Sequence, residues 1–310
     1  MNIRRIMALF LAAILQISVM ATAFAADPDT TVQGRLTAIE NVLYGSVQTG
    51  ALLDRINRVE KDFDGTHPAS GVSMVSRVDT LYEELFDNTA SPSVLTQLNA
   101  IEWGITHQVS MDSVQSRIAT MEKTIQGSPK EGTFRSRIAT LSGYAFGSAT
   151  VPLSQVTVPA NTLLKISLVT PVSTKNLKAG DVIQYKMAED VMQNGLLLFG
   201  QGAPGEGVVT KVTPAKNFGR DAKIEIDFKH VRAFDGTEVE TFLGEEAKKE
   251  MKSMAMAAGA SVAGMVILGP IGIVTGAFVN GNDIDLPAGT QMYIQTKTNT
   301  VLYAIQPSVK

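Results

Sequence analysis

A twenty-residue period runs through the first half of this chain. Arg35-Leu36, Arg55-Ile56, Arg77-Val78, Gln97-Leu98, Arg117-Ile118 and Arg137-Ile138 recur at spacings of 20, 22, 20, 20 and 20. In the second copy the apolar residues are Leu52, Ile56, Val59 and Phe63. The first copy has Val32, Leu36, Ile39 and Leu43, and the fifth has Val114, Ile118, Met121 and Ile125. Steps of four and three place such side chains on one stripe of a helix. Glycine, proline and asparagine interrupt the pattern at 45–50, 65–71, 88–92 and 127–132. Each copy therefore predicts a helix of about three to four turns and a short connection. A helix of that length does not hold in water by itself, so the stripe must be buried on a neighbour.

Two kinds of neighbour fit the pattern. Written as heptads, Leu52, Ile56, Val59 and Phe63 fall at d, a, d and a, with Arg55 at g and Glu60 at the following e. That pair meets between parallel helices of a coiled coil, and Arg35 with Glu40 and Arg117 with Glu122 repeat it. The three segments resemble the Arg-apolar-x-x-apolar-Glu motif of trimeric parallel coiled coils. In other copies Gln97 replaces Arg, and Tyr82 and Ser142 replace Glu. The breaks favour the other arrangement, an array of antiparallel helix pairs within one molecule. Either way this half reads as a spacer or an assembly element.

From about residue 150 the period changes to two. Ile224, Ile226 and Phe228 alternate with Glu225, Asp227 and Lys229, as in a strand with one wet face. Asp235-Gly236 marks a hairpin between 231–234 and 237–242. Further strands are expected at 163–170, 182–188, 207–212, 291–297 and 301–305. Short strands with Gly and Pro punctuation indicate a sandwich or small barrel.

The alternation stops between 241 and 287. Glu245, Glu246, Lys248, Lys249, Glu250 and Lys252 suit a helix start, acids before bases. Residues 253–282 then carry no charge. Gly259, Gly264, Gly269, Gly272 and Gly276 punctuate the run, and Gly272/Gly276 and Ala260/Gly264 form small-x-x-x-small pairs of the glycine-zipper kind. We expect a membrane-inserting helical hairpin turning at Gly269-Pro270, in which one span takes about 20 residues. A helix pair packed in an oligomer and a buried core helix are the alternatives.

The first 25 residues have the layout of a secretory signal: Arg4 and Arg5, an uncharged run, then Ala23-Phe24-Ala25. Cleavage there takes the net charge from −3 to −5. That balance argues against a nucleic-acid partner, which needs a basic face. Residues 26–149 hold 10 Lys/Arg and 15 Asp/Glu, whereas 150–310 hold 15 of each, so charge also supports a boundary near 150. With no Cys there are no disulfides, thiolate metal sites or thiol nucleophiles.

Residues 161–305 resemble the C-terminal barrel of the outer-membrane channel component of type IV secretion and conjugation systems. The carrying residues are Thr162-Leu163-Leu164-Lys165-Ile166, Thr170-Pro171-Val172-Ser173, Lys178-Ala179-Gly180-Asp181-Val182, the stretch 197–202, Gly207-Val208-Val209, the strand at 223–228, Asp235-Gly236 and Pro287-Ala288-Gly289-Thr290. The resemblance implies a barrel whose apolar helical pair, inserted before the last strands, projects toward the outer membrane. It also departs from that family, which has an uncleaved inner-membrane helix and a Pro-rich linker.

Few residues suggest chemistry. His67, His107 and His230 are not at ligand spacing, and Gly200-Gln201-Gly202-Ala203-Pro204-Gly205 lacks the Lys-Ser/Thr of a phosphate loop. Glu189 and Asp190 are adjacent, so in a strand they face opposite ways. Trp103 reads as packing. The expected protein is α+β: a signal at 1–25, helical repeats at 26–149, and an antiparallel barrel or sandwich at 150–310 with an apolar helical insertion at 245–282. It is expected to be a non-enzymatic, cofactor-free structural protein of the bacterial envelope that self-associates and engages the outer membrane. Its location would be the periplasm, outer membrane or cell surface. The competing reading is an exported soluble module that binds glycan or peptidoglycan.

Overall fold

The computed structural model describes residues 31–66, 71–215, 222–257, 265–268, 272–276 and 283–306. The chain divides into two compact units between Val151 and Pro152.

Among its described residues the first unit has six helices of thirteen residues each: α1 (Val32–Tyr44), α2 (Leu52–Asp64), α3 (Met74–Phe86), α4 (Val94–Thr106), α5 (Val114–Gln126) and α6 (Phe134–Phe146). Local chemistry sets the ends. Thr31, Ser73, Ser93, Ser113 and Thr133 each accept a hydrogen bond from the backbone N–H three residues on. These caps satisfy donors that the first turn leaves without partners. Gly45, Gly65, Gly127 and Gly147 close their helices in the left-handed conformation that glycine adopts without steric cost. His107 takes the same role in α4 at φ 54°.

The fifth and eighth positions of every helix are buried, from Leu36 and Ile39 in α1 to Ile138 and Leu141 in α6. They form the stripe read from the repeat. All of this packing lies within one chain, as in the single-molecule array. The array is not an open spiral, because α1 packs on α5 as well as on α2 and α3, and α2 packs on α6. The helices thus close into a bundle. In a spiral solenoid each repeat would touch only its neighbours.

The second unit holds fourteen described strands and one helix. An eight-stranded sheet runs β10 (Met265–Leu268), β11 (Gly272–Gly276), β8 (Lys223–Arg232), β7 (Pro204–Thr213), β4 (Val182–Met187), β2 (Leu163–Leu168), β13 (Gln291–Thr296) and β9 (Glu238–Phe242). β9 also pairs with β8, which closes a barrel of six strands. A four-stranded sheet joins β1 (Leu153–Val158), β14 (Thr300–Ile305), β6 (Leu196–Phe199) and β5 (Val191–Gln193). β3 (Val172–Ser173) pairs with β12 (Asp285–Leu286). The core follows the period of two: Leu164, Ile166 and Leu168 on β2, Ile183, Tyr185 and Met187 on β4, and Ile224, Ile226 and Phe228 on β8. Expected strands at 223–230 and 231–234 are a single strand here, and the turn at Asp235-Gly236 joins it to β9.

The expected helical hairpin is corrected. A helix is present at α7 (Glu245–Ala257), but beyond it the described residues are strands. β10 pairs antiparallel with β11, and β11 pairs with the first half of β8. Two causes favour this outcome. Val266, Ile267, Ile273, Val274 and Thr275 are β-branched and suit a pleated sheet. The first half of β8 also offers a row of backbone groups that β9 does not reach, and a strand satisfies them.

Candidate functional site

The insertion between β9 and β12 is the feature of the barrel unit that most needs an account. Its entry is anchored by one buried side chain. Gln295 on β13 accepts hydrogen bonds at Oε1 from the N–H groups of Glu246 (3.1 Å) and Ala247 (3.2 Å). Its Nε2 donates to the Asn161 carbonyl at 3.2 Å. Gln295 thus caps α7 from another element and supplies the acceptor that its first turn lacks. A Cβ at Gly244 would overlap Gln295 Oε1, so a side chain there would push the amide out of its capping position. Ala247 and Met251 then bury the inner face of α7 in the barrel core, against β13 and β2.

The exit is anchored separately. Thr174 N–H donates to the Ile284 carbonyl (3.1 Å), and Ile284 N–H donates to Thr174 Oγ1 (3.1 Å). Lys175 Nζ lies 3.2 Å from Asp283 Oδ2, and this hydrogen bond holds the Asp283 carboxyl below its usual range. Next along the chain, Asp285 and Leu286 pair with Ser173 and Val172.

Between these roots, Gly272, Ile273, Val274 and Thr275 lie opposite Ile226, Glu225, Ile224 and Lys223. β8 therefore forks: its first half carries β11, and its last residues, His230 to Arg232, carry β9. The ring of six strands closes without the hairpin.

The barrel beneath is held rigidly where β4, β7 and β8 meet. The buried Tyr185 hydroxyl donates to the His230 carbonyl (2.9 Å) or that of Glu206 (3.1 Å). Burial pushes this phenol's pKa well above the ordinary tyrosine value. Its ring lies on the backbone of Gly205, where a Cβ would overlap Cε2 and sit 2.8 Å from the His230 oxygen. Asp235 ties the β8–β9 turn to the second sheet by accepting from Thr237 N–H (2.9 Å) and Tyr303 N–H (2.8 Å).

In the helical unit, the arginines and glutamates singled out by the repeat do form ion pairs, but with other partners than expected. Arg55 pairs with Glu40, Arg77 with Glu60, Arg117 with Glu102 and Arg137 with Glu122. Each is an arginine at the fourth position of one helix and a glutamate at the ninth position of the helix before it. The g-to-e pairing needs two parallel helices in register, whereas here a short connection brings the end of one helix beside the start of the next. The glutamates also hold those connections. Glu40, Glu102 and Glu122 accept from the N–H groups of Gln48 (2.9 Å), Ser110 (3.0 Å) and Lys130 (2.8 Å). Where Tyr82 replaces the glutamate, Gln97 replaces the next arginine, and its Nε2 donates to the Pro92 carbonyl instead. Arg35, with no described helix before it, stacks 5.4 Å over the Tyr82 ring and pairs with Asp79. That contact joins α1 to α3.

Of the glycines expected to pack helices, Gly272 and Gly276 lie at the two ends of β11. Gly259, Gly264, Gly269 and Pro270 fall outside the described residues, as does His67. His107 closes α4 and meets the Trp103 ring edge-on, and His230 lies on β8 with Nε2 3.6 Å from Glu238. Among the described residues no group of His, Cys, Asp and Glu is placed to hold a metal ion. No described helix is long and apolar enough to cross a membrane. The role of Gln295 was not legible beforehand, since its partners lie nearly fifty residues earlier in the chain.

Neither a protein-family model nor a curated protein matches the chain. Among solved structures, ComB10 of the Com type IV secretion system of Helicobacter pylori is similar over 46% of this chain and 88% of that one. The identity is 12% and the TM-score 0.25. The likeness to a type IV secretion component is thus a weak one.

Proposed function

We propose that this protein is a non-enzymatic structural component of the bacterial envelope, exported by its N-terminal signal. In this reading the barrel presents the insertion to the outer membrane, and the helical bundle serves assembly, including self-association. One observation carries the reading: thirty uncharged residues, 253–282, are inserted in the sequence between two anchored roots of a closed barrel. A run of that composition favours lipid or another protein over water. The anchoring at Gln295 and Thr174 fixes the two ends of the insertion on the barrel. The self-pairing of the buried arginines and glutamates argues for a bundle that folds as a unit before any partner arrives.

Fractionation of cells expressing the full chain and a variant lacking 253–282 tests this. The intact protein is expected with outer membranes and the deletion variant in the soluble periplasmic fraction. Recovery of the intact protein as a soluble monomer would defeat the reading. Sedimentation with purified cell-wall sacculus that is unaffected by the deletion would favour a peptidoglycan-binding module instead.

A further inference from the structure

We propose that copies of this chain join head to tail through the helical unit, the start of α3 in one copy seating on the end of α5 in the next. The inference rests on the self-association proposed above and names its surface. A contact of this kind is made twice inside the chain. Ser113, which starts α5, lies over Gly45, which ends α1: a Cβ on Gly45 would sit 3.6 Å from the Ser113 Cβ. Thr133, which starts α6, lies over Gly65, which ends α2: a Cβ there would sit 3.0 Å from the Thr133 methyl group. Beside the second junction Arg135 pairs with Asp64, and the Phe134 ring lies 6.1 Å from that of Tyr44. Each junction sets the positive start of one helix on the negative end of another. It also takes the first residue of the seated helix out of water, leaving Val114 1% and Phe134 5% exposed.

The same repeat leaves one start and one end uncovered. A Cβ on Gly127, which ends α5, would meet nothing within 4 Å. At the start of α3, Met74 stands where α5 and α6 have Val114 and Phe134, yet it is 43% exposed, and Val72 and Val75 beside it are exposed as well. Three apolar side chains thus face water at a place where the chain elsewhere seats a helix start on a glycine-capped end. The occupant that the repeat itself specifies is such an end, and a second copy carries one at Gly127. Inside the chain each junction joins a helix to the fourth one after it. Counted on through the six described helices, α5 reaches α3 of the following copy. Start and end are different surfaces, so the contact is heterologous and propagates into a ring or an open stack.

Single-Cys variants of the full chain test the contact, since the natural sequence has no Cys to interfere. Met74→Cys puts a thiol at the start of α3, and Ser128→Cys puts one at an exposed position beside Gly127. Mixed and oxidised with diamide, the two are expected to form disulfide-linked dimers at least about ten-fold faster than either variant alone, because only the mixture holds a thiol at a start against a thiol at an end. Met74→Glu/Val75→Glu, which alters exposed side chains only, is expected to lower the oligomeric mass measured by sedimentation equilibrium and to leave Trp103 unfolding unchanged.

Dimers formed as readily by Met74→Cys alone would show that start meets start, and no dimers in any sample would show that this contact is not made; either result overturns the proposal. An oligomer whose mass the double Glu variant leaves unchanged also overturns it, but keeps self-association through another surface. A chain that is monomeric throughout would leave the start of α3 to a different protein and remove self-association itself.

Discussion

Arg55 reaches back fifteen residues to grip Glu40, its Nε on Oε1 at 2.9 Å and its Nη2 on Oε2 at 2.7 Å, with both side chains buried. Hydrogen bonding to Glu40 raises the Arg55 pKa further, so the guanidinium stays charged throughout the working range. The same grip joins α2 to α3, α4 to α5 and α5 to α6.

These clamps differ in value according to their exposure. Glu102→Ala leaves Arg117 buried without its carboxylate and is expected to cost about 3–5 kcal/mol, as breaking a buried pair does. Arg135, half exposed between Asp64 and Glu84, is expected to contribute no more than about 1 kcal/mol through its ion pairs. Urea unfolding followed by the fluorescence of the single Trp103, which lies in this bundle, measures both.

Acid should loosen the bundle through Glu122. Burial pushes its carboxyl up, but the hydrogen bonds from Arg137 and the Lys130 N–H outweigh that and hold it below the ordinary 4.5. A depressed folded-state pKa means that the unfolded chain binds the proton more readily. The contribution is therefore complete above pH 4.5 and is lost as pH falls through the lower folded-state value. Trp103 unfolding curves between neutral pH and pH 3 should show this loss, and Glu122→Gln should flatten that part of the profile.

Gly205→Ala is expected to be among the more damaging small substitutions in the barrel. The new methyl would overlap Tyr185, whose hydroxyl is bonded to the neighbouring strands, and the His230 carbonyl cannot withdraw without breaking β8. Overpacking of this kind costs about 1–3 kcal/mol, read as a lower thermal midpoint of the 152–310 signal. Tyr185→Phe, which keeps the ring and loses the hydroxyl, is expected to cost about 1 kcal/mol.

Gln295→Leu keeps roughly the size of the side chain and removes both the cap and the link to Asn161. Loss of a helix cap costs about 0.5–2 kcal/mol locally. Amide hydrogen exchange at Glu246 and Ala247 should speed by about ten-fold, a factor that corresponds to about 1.4 kcal/mol. Exchange along β8 should stay unchanged, which separates a loosened root from a loosened barrel.

The alternation of Ile224, Ile226 and Phe228, and the recurrence of Leu36, Ile56, Val78, Leu98, Ile118 and Ile138, are enough to read an antiparallel barrel behind a helical array. In both cases the side chains that repeat are the ones removed from water. Sequence alone also reveals that 253–282 is uncharged. It does not reveal which surface the run meets. Glycine and apolar residues suit a membrane helix and a β-hairpin alike, and the choice depends on the unpaired half of β8, brought there by strand order. The arginine partners were hidden for the same reason. Spacing along a helix shows which residues share a face, but only the packing of whole helices decides that Arg55 meets Glu40 and not Glu60.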